Sequence, residues 1–197
     1  MKALPIILGV IALIGSSGYQ SKLQKTDGET GLYLTYADFL QNKLTYGFDC
    51  TNQKDKLKLN SLLGGSKGFV LYNGEKHSFD KGQLYGYRIC GNKNHRFYRG
   101  SDYLIVDTIG FYLYYRYQQV EHFKGKGLMK EDNYFFSKQG DETIWLLTSD
   151  NLKRIFPENQ AFHYAIDAEF KSDQELMAYD SFLKTYKLKY LYNQSLK

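Results

Sequence analysis

The chain is poor in proline, cysteine and tryptophan, with 2, 2 and 1 in 197 residues. With proline scarce, no Gly/Pro-rich linker divides the chain, so residues 31–197 read as one domain. Catalytic and metal signatures are missing as well. None of His77, His95, His122 and His163 sits in H-E-x-x-H or has a Cys or His partner at zinc spacing. There is no G-x-S-x-G elbow, and Gly65-Ser66-Lys67-Gly68 does not meet the phosphate-loop pattern. Neither cysteine has flanks that lower a thiol pKa. The sequence implies no metal and no cofactor. Carboxylate neighbours do occur (Glu131 with Asp132, Asp141 with Glu142, Asp167 with Glu169). Glycoside hydrolysis needs two acids facing each other across a sugar ring, and adjacent loop carboxylates are normally just solvated.

Long apolar runs are also lacking. Residues 3–14 are uncharged and mostly apolar, preceded by Lys2 and followed by Gly15, Ser16, Ser17 and Gly18. The run falls short of the ~20 residues that a spanning helix needs, and Pro5 interrupts it. Charge, apolar core and small-residue exit are the layout of a cleavable secretory signal. No Cys stands at its end to accept a lipid. Residues 1–18 are therefore expected to be a signal peptide and 19–30 a flexible leader. The mature chain is expected to be exported, to the periplasm, outer envelope or extracellular space, with no membrane span after cleavage.

In an oxidising compartment Cys50 and Cys90 can pair. That would close a loop of ~40 residues, worth ~4 kcal/mol in a chain-entropy treatment. The alternative is two buried thiols on separate strands.

Charge is uneven. Residues 19–100 hold 13 Lys and Arg against 7 Asp and Glu, whereas residues 101–197 hold 12 against 14. The basic half favours acidic partners, but it has no dense basic stripe for nucleic acid. Aromatics are plentiful, with 19 Tyr and 13 Phe. They suit pleated, half-buried surfaces.

Short apolar and aromatic runs separated by turn signals follow Gly31. Thr35 and Asp38 approach a capping box for a short helical turn over 36–40. Strands are expected near 44–48, 56–59, 69–72, 75–79, 84–90, 95–98, 103–107, 111–117, 134–136 and 144–147. Asn73-Gly74 is a strong hairpin signal, Gly91 to Asn94 reads as a second tight turn, and Gly125-Lys126-Gly127 reads as a loop. Beyond Leu147 the period becomes helical. Asp150 is expected to cap a short helix ended by Pro157, and Asn159 to cap a helix with Phe162, Ile166 and Phe170 on one face. Ser172 and Glu175 form a capping box for a last helix striped by Leu176, Tyr179, Leu183, Tyr186 and Tyr190. The fold class is thus α+β: an antiparallel β-rich meander or bent barrel over about 31–147, then two or three helices over 148–197 packed on it. Gly-aromatic segments begin at Gly31, Gly68 and Gly110. Either a duplicated β-unit or ordinary strand starts would produce them.

The most suggestive stretch is 85–99, YGYRICGNKNHRFYR. Tyr87, Arg88, His95, Arg96, Tyr98 and Arg99 alternate planar donors with aromatic faces around a tight turn. Such a set suits a sugar or an acidic polymer through stacking and charge-assisted hydrogen bonds. A hairpin with an aromatic core side and a solvated basic side has the same pattern.

Several motifs carry a family likeness. They are Gly31-x-Tyr33-x-Thr35-Tyr36-x-Asp38-Phe39 with Lys43, Asn73-Gly74-Glu75-Lys76, Gly86-Tyr87-Arg88, Tyr134-Phe135-Phe136-Ser137, Leu147-Thr148-x-x-Asn151-Leu152 and Phe170-x-Ser172-Asp173-x-Glu175-Leu176-x-x-Tyr179-Asp180. Together they resemble an uncharacterised family of exported proteins from the Bacteroides–Cytophaga group. The resemblance implies an envelope or extracellular location and no activity. The expected function is non-enzymatic binding of a glycan or an anionic envelope component. The alternatives are a hydrolase on an envelope polymer, using scattered carboxylates or His95, and a structural role in which the last helix docks on another chain.

Overall fold

The computed structural model describes residues 28–59, 65–121 and 128–197. The expected signal peptide, the leader up to residue 27, His122 and the loop at Gly125 to Gly127 lie outside them. In chain order the elements are β1 (Glu29–Tyr33), α1 (Tyr36–Leu40), β2 (Thr45–Asp49), β3 (Lys56–Lys58), β4 (Lys67–Tyr72), β5 (Glu75–Asp80), β6 (Gly86–Ile89), β7 (Lys93–Tyr98), β8 (Ser101–Asp107), β9 (Tyr112–Glu121), β10 (Leu128–Ser137) and β11 (Trp145–Leu146). Then come α2 (Ser149–Ile155), α3 (Gln160–Glu169), β12 (Tyr179–Asp180), β13 (Thr185–Tyr186) and α4 (Lys187–Gln194).

Eight strands make one antiparallel sheet in the order β11-β10-β9-β8-β7-β6-β1-β2. It ends on β11 and β2, so it is an open sheet and not a closed barrel. The chain between β2 and β6 forms a second sheet, β3-β4-β5. Asn73 and Gly74 turn its hairpin with φ of 51° and 83°, the two positive values that a two-residue turn requires. The buried Asp55 carboxylate accepts the Asn73 N–H at 2.9 Å and anchors that turn.

The two faces of the large sheet are covered differently. On one face Leu32, Tyr87 and Phe97 meet Val70, Leu57 and Phe79 of the small sheet. Farther along that face, Phe111, Leu113 and Phe136 meet Leu152, Phe156, Phe162, Ile166, Leu176, Leu188 and Tyr192 from the helical end. Each large apolar side chain fully buried there contributes ~1.5–3 kcal/mol. The opposite face carries Tyr103, Tyr112, Tyr114 and Phe135, covered by Tyr36 and Phe39 of α1 and by Ile144. The capping box of α1 is formed in both directions: Thr35 Oγ1 accepts the Asp38 N–H, and the Asp38 carboxylate accepts the Thr35 N–H.

Several expectations change. The leader ends sooner, because Glu29 and Thr30 already pair with Asp49 and Phe48. Thr148, not Asp150, caps α2, its Oγ1 accepting the Asn151 N–H at 3.1 Å. The long final helix does not form. Residues 173–177 make a 3-10 turn, then β12 and β13 form a small hairpin, and only 187–194 are α-helical. Ser172 makes no side-chain cap bond, and Glu175 instead accepts the Lys171 N–H. The Asp180 carboxylate accepts the N–H groups of Phe182 and Leu183, a local turn that competes with helix. The Gly-aromatic segments do not share one role either: Gly68 lies within β4, whereas Gly110 sits in a turn at φ 78°.

Cys50 and Cys90 are joined, their Cα atoms 5.7 Å apart. The bond ties together the ends of β2 and β6, the two strands that flank β1. Thr30 Oγ1 lies 3.6 and 3.4 Å from the two sulfurs.

Candidate functional site

The register of β6 and β7 separates the residues of the suggestive hairpin. Leu32, Tyr87 and His95 are cross-strand partners and share one face. Because side chains alternate, Arg88, Asn94, Arg96 and Tyr98 share the other. The hairpin packs this closely because residue 86 is glycine: a Cβ there would run into the His95 carbonyl oxygen.

On the first face Tyr87 is buried and stacks on His95 at 4.6 Å. Its hydroxyl donates to Asp102 Oδ2 at 3.0 Å, and His95 Nδ1 lies 3.8 Å from the same oxygen. Burial pushes the His95 pKa down, while Asp102 pulls it up. Burial likewise pushes the Tyr87 hydroxyl well above its usual value, with Asp102 adding to the shift. Of these three, Tyr87 packs into the cluster beneath the second sheet, with His95 stacked on its ring and the partly exposed Asp102 at its hydroxyl.

On the second face Arg96 is buried at 4% exposure. Its guanidinium lies 5.3 to 5.9 Å from the ring centroids of Tyr98, Tyr85 and Tyr114. Nη1 donates to Tyr114 Oη at 3.2 Å and Nη2 to the Glu142 carbonyl at 2.7 Å. Tyr114 in turn bonds Ser137. Arg96 is thus an internal strut and not a surface contact. Arg99 is exposed, occupies the β7–β8 turn with Gly100 at φ 47° and 76°, and lies over Tyr98. The six residues do not form one surface; Arg88 reaches the lining of an open groove through its partners Asn42 and Asn94.

That groove, about 440 Å³, is lined by Phe39, Leu40, Asn42, Asn92, Asn94, Ile105, Val106, Asp107, Thr108 and Tyr112. The end of α1 supplies Phe39 and Leu40. Asn42 follows it in a left-handed conformation at φ 54°. Arg88 orients the amides: Nε donates to Asn94 Oδ1 at 3.0 Å, and Nη2 donates to Asn42 Oδ1 at 2.5 Å. Tyr33 Oη also donates to Asn94 Oδ1, at 2.9 Å. With both amide oxygens occupied, each side chain offers its NH2 as a donor. Asp107 Oδ1 accepts the Ile109 N–H at 2.8 Å and lies 3.3 Å from Lys189 Nζ, which leaves Oδ2 as an acceptor. The groove therefore combines fixed amide donors, a carboxylate acceptor and aromatic walls, the set that recognises vicinal hydroxyls on a ring.

Lys189 stands behind Asp107. It is 1% exposed, and its ammonium is held by the Ile109 and Phe111 carbonyls and over the Phe111 ring. Burial lowers its pKa to about 8, against the opposing pull of Asp107.

Sequence reasoning missed the groove because its parts come from residues 39–42, 92–94 and 105–112, and no segment alone carries a pattern. The one local signal was the density of asparagine at Asn42, Asn92 and Asn94. Among the described residues no group of three or more His, Cys, Asp or Glu side chains is placed to hold a metal, and no helix is long and apolar enough to cross a membrane. No family model matches the chain, and neither does any curated protein or solved structure.

Proposed function

We propose that the protein is an exported, non-enzymatic binding protein that takes a neutral sugar unit of a glycan in the groove beside α1. The observation that carries this reading is the pair of amides, Asn42 and Asn94, oriented by one guanidinium so that both NH2 groups are available beside Phe39 and Tyr112. Fixed planar donors beside an aromatic wall bind a sugar ring with little ordering cost. The groove lining holds a single carboxylate, Asp107. Glycoside hydrolysis takes two, so binding without turnover is favoured over the hydrolase reading. The apolar, uncharged run at residues 3–14 and the family resemblance support export.

Asn94→Asp tests the site. The replacement keeps an oxygen for Tyr33 and Arg88 and exchanges the NH2 for an acceptor. A panel of neutral oligosaccharides screened on an array, followed by titration calorimetry, is expected to find a ligand that the variant binds roughly 10–100-fold more weakly, at unchanged melting temperature. Equal affinity in the variant sinks the groove assignment. Shortened oligosaccharides after incubation sink the non-enzymatic part.

A further inference from the structure

The small sheet has an outer face that the groove does not use. In its register Lys56 pairs with Leu71 and Leu71 with Lys76; Lys58 pairs with Phe69 and Phe69 with Ser78; Lys67 pairs with Asp80. Directly paired residues share a face, and residues two apart along a strand do as well. The inward set is fixed by Val70, which is fully buried, and by Leu57 and Phe79 packed near it. The outward set is therefore Lys56, Lys58, Lys67, Phe69, Leu71, Lys76, Ser78 and Asp80. All four lysines in it are exposed, and Asp80 is its one carboxylate.

We propose that this face is a docking surface for a linear anionic polysaccharide, a polymer of carboxylate- or sulfate-bearing sugars. Strand geometry sets the lysines in a grid. Lys56 and Lys58 lie roughly 7 Å apart along β3, and Lys56 and Lys76 roughly 10 Å apart across β4. A regular grid of four lysines, with the one carboxylate, Asp80, at the end of β5, matches a stiff polymer with negative charge at regular intervals. Phe69 and Leu71 run through its centre as a shallow apolar strip on which sugar C–H faces can lie. Lys76 Nζ sits 4.5 Å from the Phe69 ring centroid.

Two rival polyanions fit less well. Residues 51–87 contain no arginine, whereas phosphate recognition favours the bidentate guanidinium, and Phe69 is capped by Lys76 rather than open for base stacking. An anionic membrane usually couples basic residues to a protruding apolar side chain that inserts. Phe69 is only partly exposed, and Phe182, 91% exposed, lies in the β12–β13 turn instead.

The experiment is binding of the whole protein to polygalacturonate and to heparin at low and moderate salt, with Lys58→Gln/Lys76→Gln and Asn94→Asp measured in parallel. Wild type is expected to bind at least one polymer, more weakly as salt rises. Polygalacturonate as the better ligand assigns carboxylates, and heparin as the better ligand assigns sulfates. The double lysine variant is expected to bind roughly tenfold more weakly at unchanged melting temperature. Asn94→Asp is expected to bind the polymers as wild type does, which separates this surface from the groove. No binding to either polymer at low salt, an unaffected double variant, or tighter binding to duplex DNA or phosphatidylglycerol vesicles overturns the proposal.

Discussion

One face of the large sheet is closed largely by carbon and the other by hydroxylated rings. Phe111, Leu113 and Phe136 meet a helical layer in which Tyr192 is the only hydroxyl-bearing member of the buried cluster. Tyr103, Tyr112 and Tyr114 meet Tyr36, Phe39, Tyr98 and Ile144. Under the helices the first face needs mainly shape and volume. The second must also accommodate buried hydroxyls, and each one left without a partner costs about 1–3 kcal/mol. That demand explains Arg96, which serves Tyr114 from below, and the Tyr36–Tyr112 contact at 2.9 Å. It also explains where the groove opens, at the margin where tyrosine packing gives way to asparagines. The carbon face stabilises the fold, and the hydroxylated face positions polar groups.

Phe136→Ala tests the carbon face and should have the largest effect. Phe136 is fully buried, with ring centroids of Phe111 and Phe156 6.1 and 6.2 Å away. Urea denaturation followed by circular dichroism should show a loss of about 3–5 kcal/mol. Arg96→Met tests the hydroxylated face. It keeps much of the volume but removes the donors to Tyr114 Oη and the Glu142 carbonyl, for a loss of about 2–3 kcal/mol and a melting point roughly 5–10 °C lower. If melting were unchanged, Arg96 would be a surface residue in solution, and the comparison of faces would fail.

Both faces were partly legible in sequence, for a physical reason that also marks the limit. Alternation along 85–99 predicts two faces, and the structure has them. Alternation is symmetric, however, and does not say which face is covered. Arg96 looked like a surface cation because its partners, Tyr114 and Glu142, are 18 and 46 residues away. Local signals did better where the deciding contacts are local. The Thr35–Asp38 box, the Asn73-Gly74 turn and the Asn159 cap each involve residues within four positions, and each formed. The C-terminal stripe failed for a related reason. Leu176, Tyr179, Leu183, Tyr186 and Tyr190 have helical spacing, but Asp180 makes a turn and Lys184 adopts φ 52°.

The seam between the faces should respond to pH. Lys189 reaches from α4 to Asp107 at the groove, and burial holds its pKa at about 8. In the unfolded chain a lysine titrates near ~10.4. Between those values the unfolded chain binds more protons than the native one, so stability rises with pH. The full shift corresponds to about 3 kcal/mol as an upper limit. Burial raises the hydroxyl pKa values of Tyr85, Tyr87, Tyr112 and Tyr114. These groups ionise first in the unfolded chain, so stability falls above pH ~10. Denaturation midpoints should therefore climb from pH ~7 to ~9.5 and then decline. Lys189→Met should remove the climb and keep the decline. A climb that survives in that variant would assign it to another group and leave Lys189 merely structural.

The smallest effect should come from Tyr85→Phe, and its sign is the informative part. Tyr85 is buried against Tyr36, Phe39 and Arg96, yet its hydroxyl has no hydrogen-bond partner among the described residues. Every other tyrosine substitution on this face that removes a paired hydroxyl should cost stability, Tyr36→Phe among them because it loses the contact with Tyr112. Tyr85→Phe removes a group that was desolvated without return, so the variant should match wild type or gain up to ~1 kcal/mol, read as a melting point about 0–4 °C higher. A loss of more than ~1 kcal/mol would mean that the hydroxyl has a partner in solution. The natural partner is a buried water between Tyr85 and the Arg96 guanidinium, and the hydroxylated face would then be wet inside as well as at its margin.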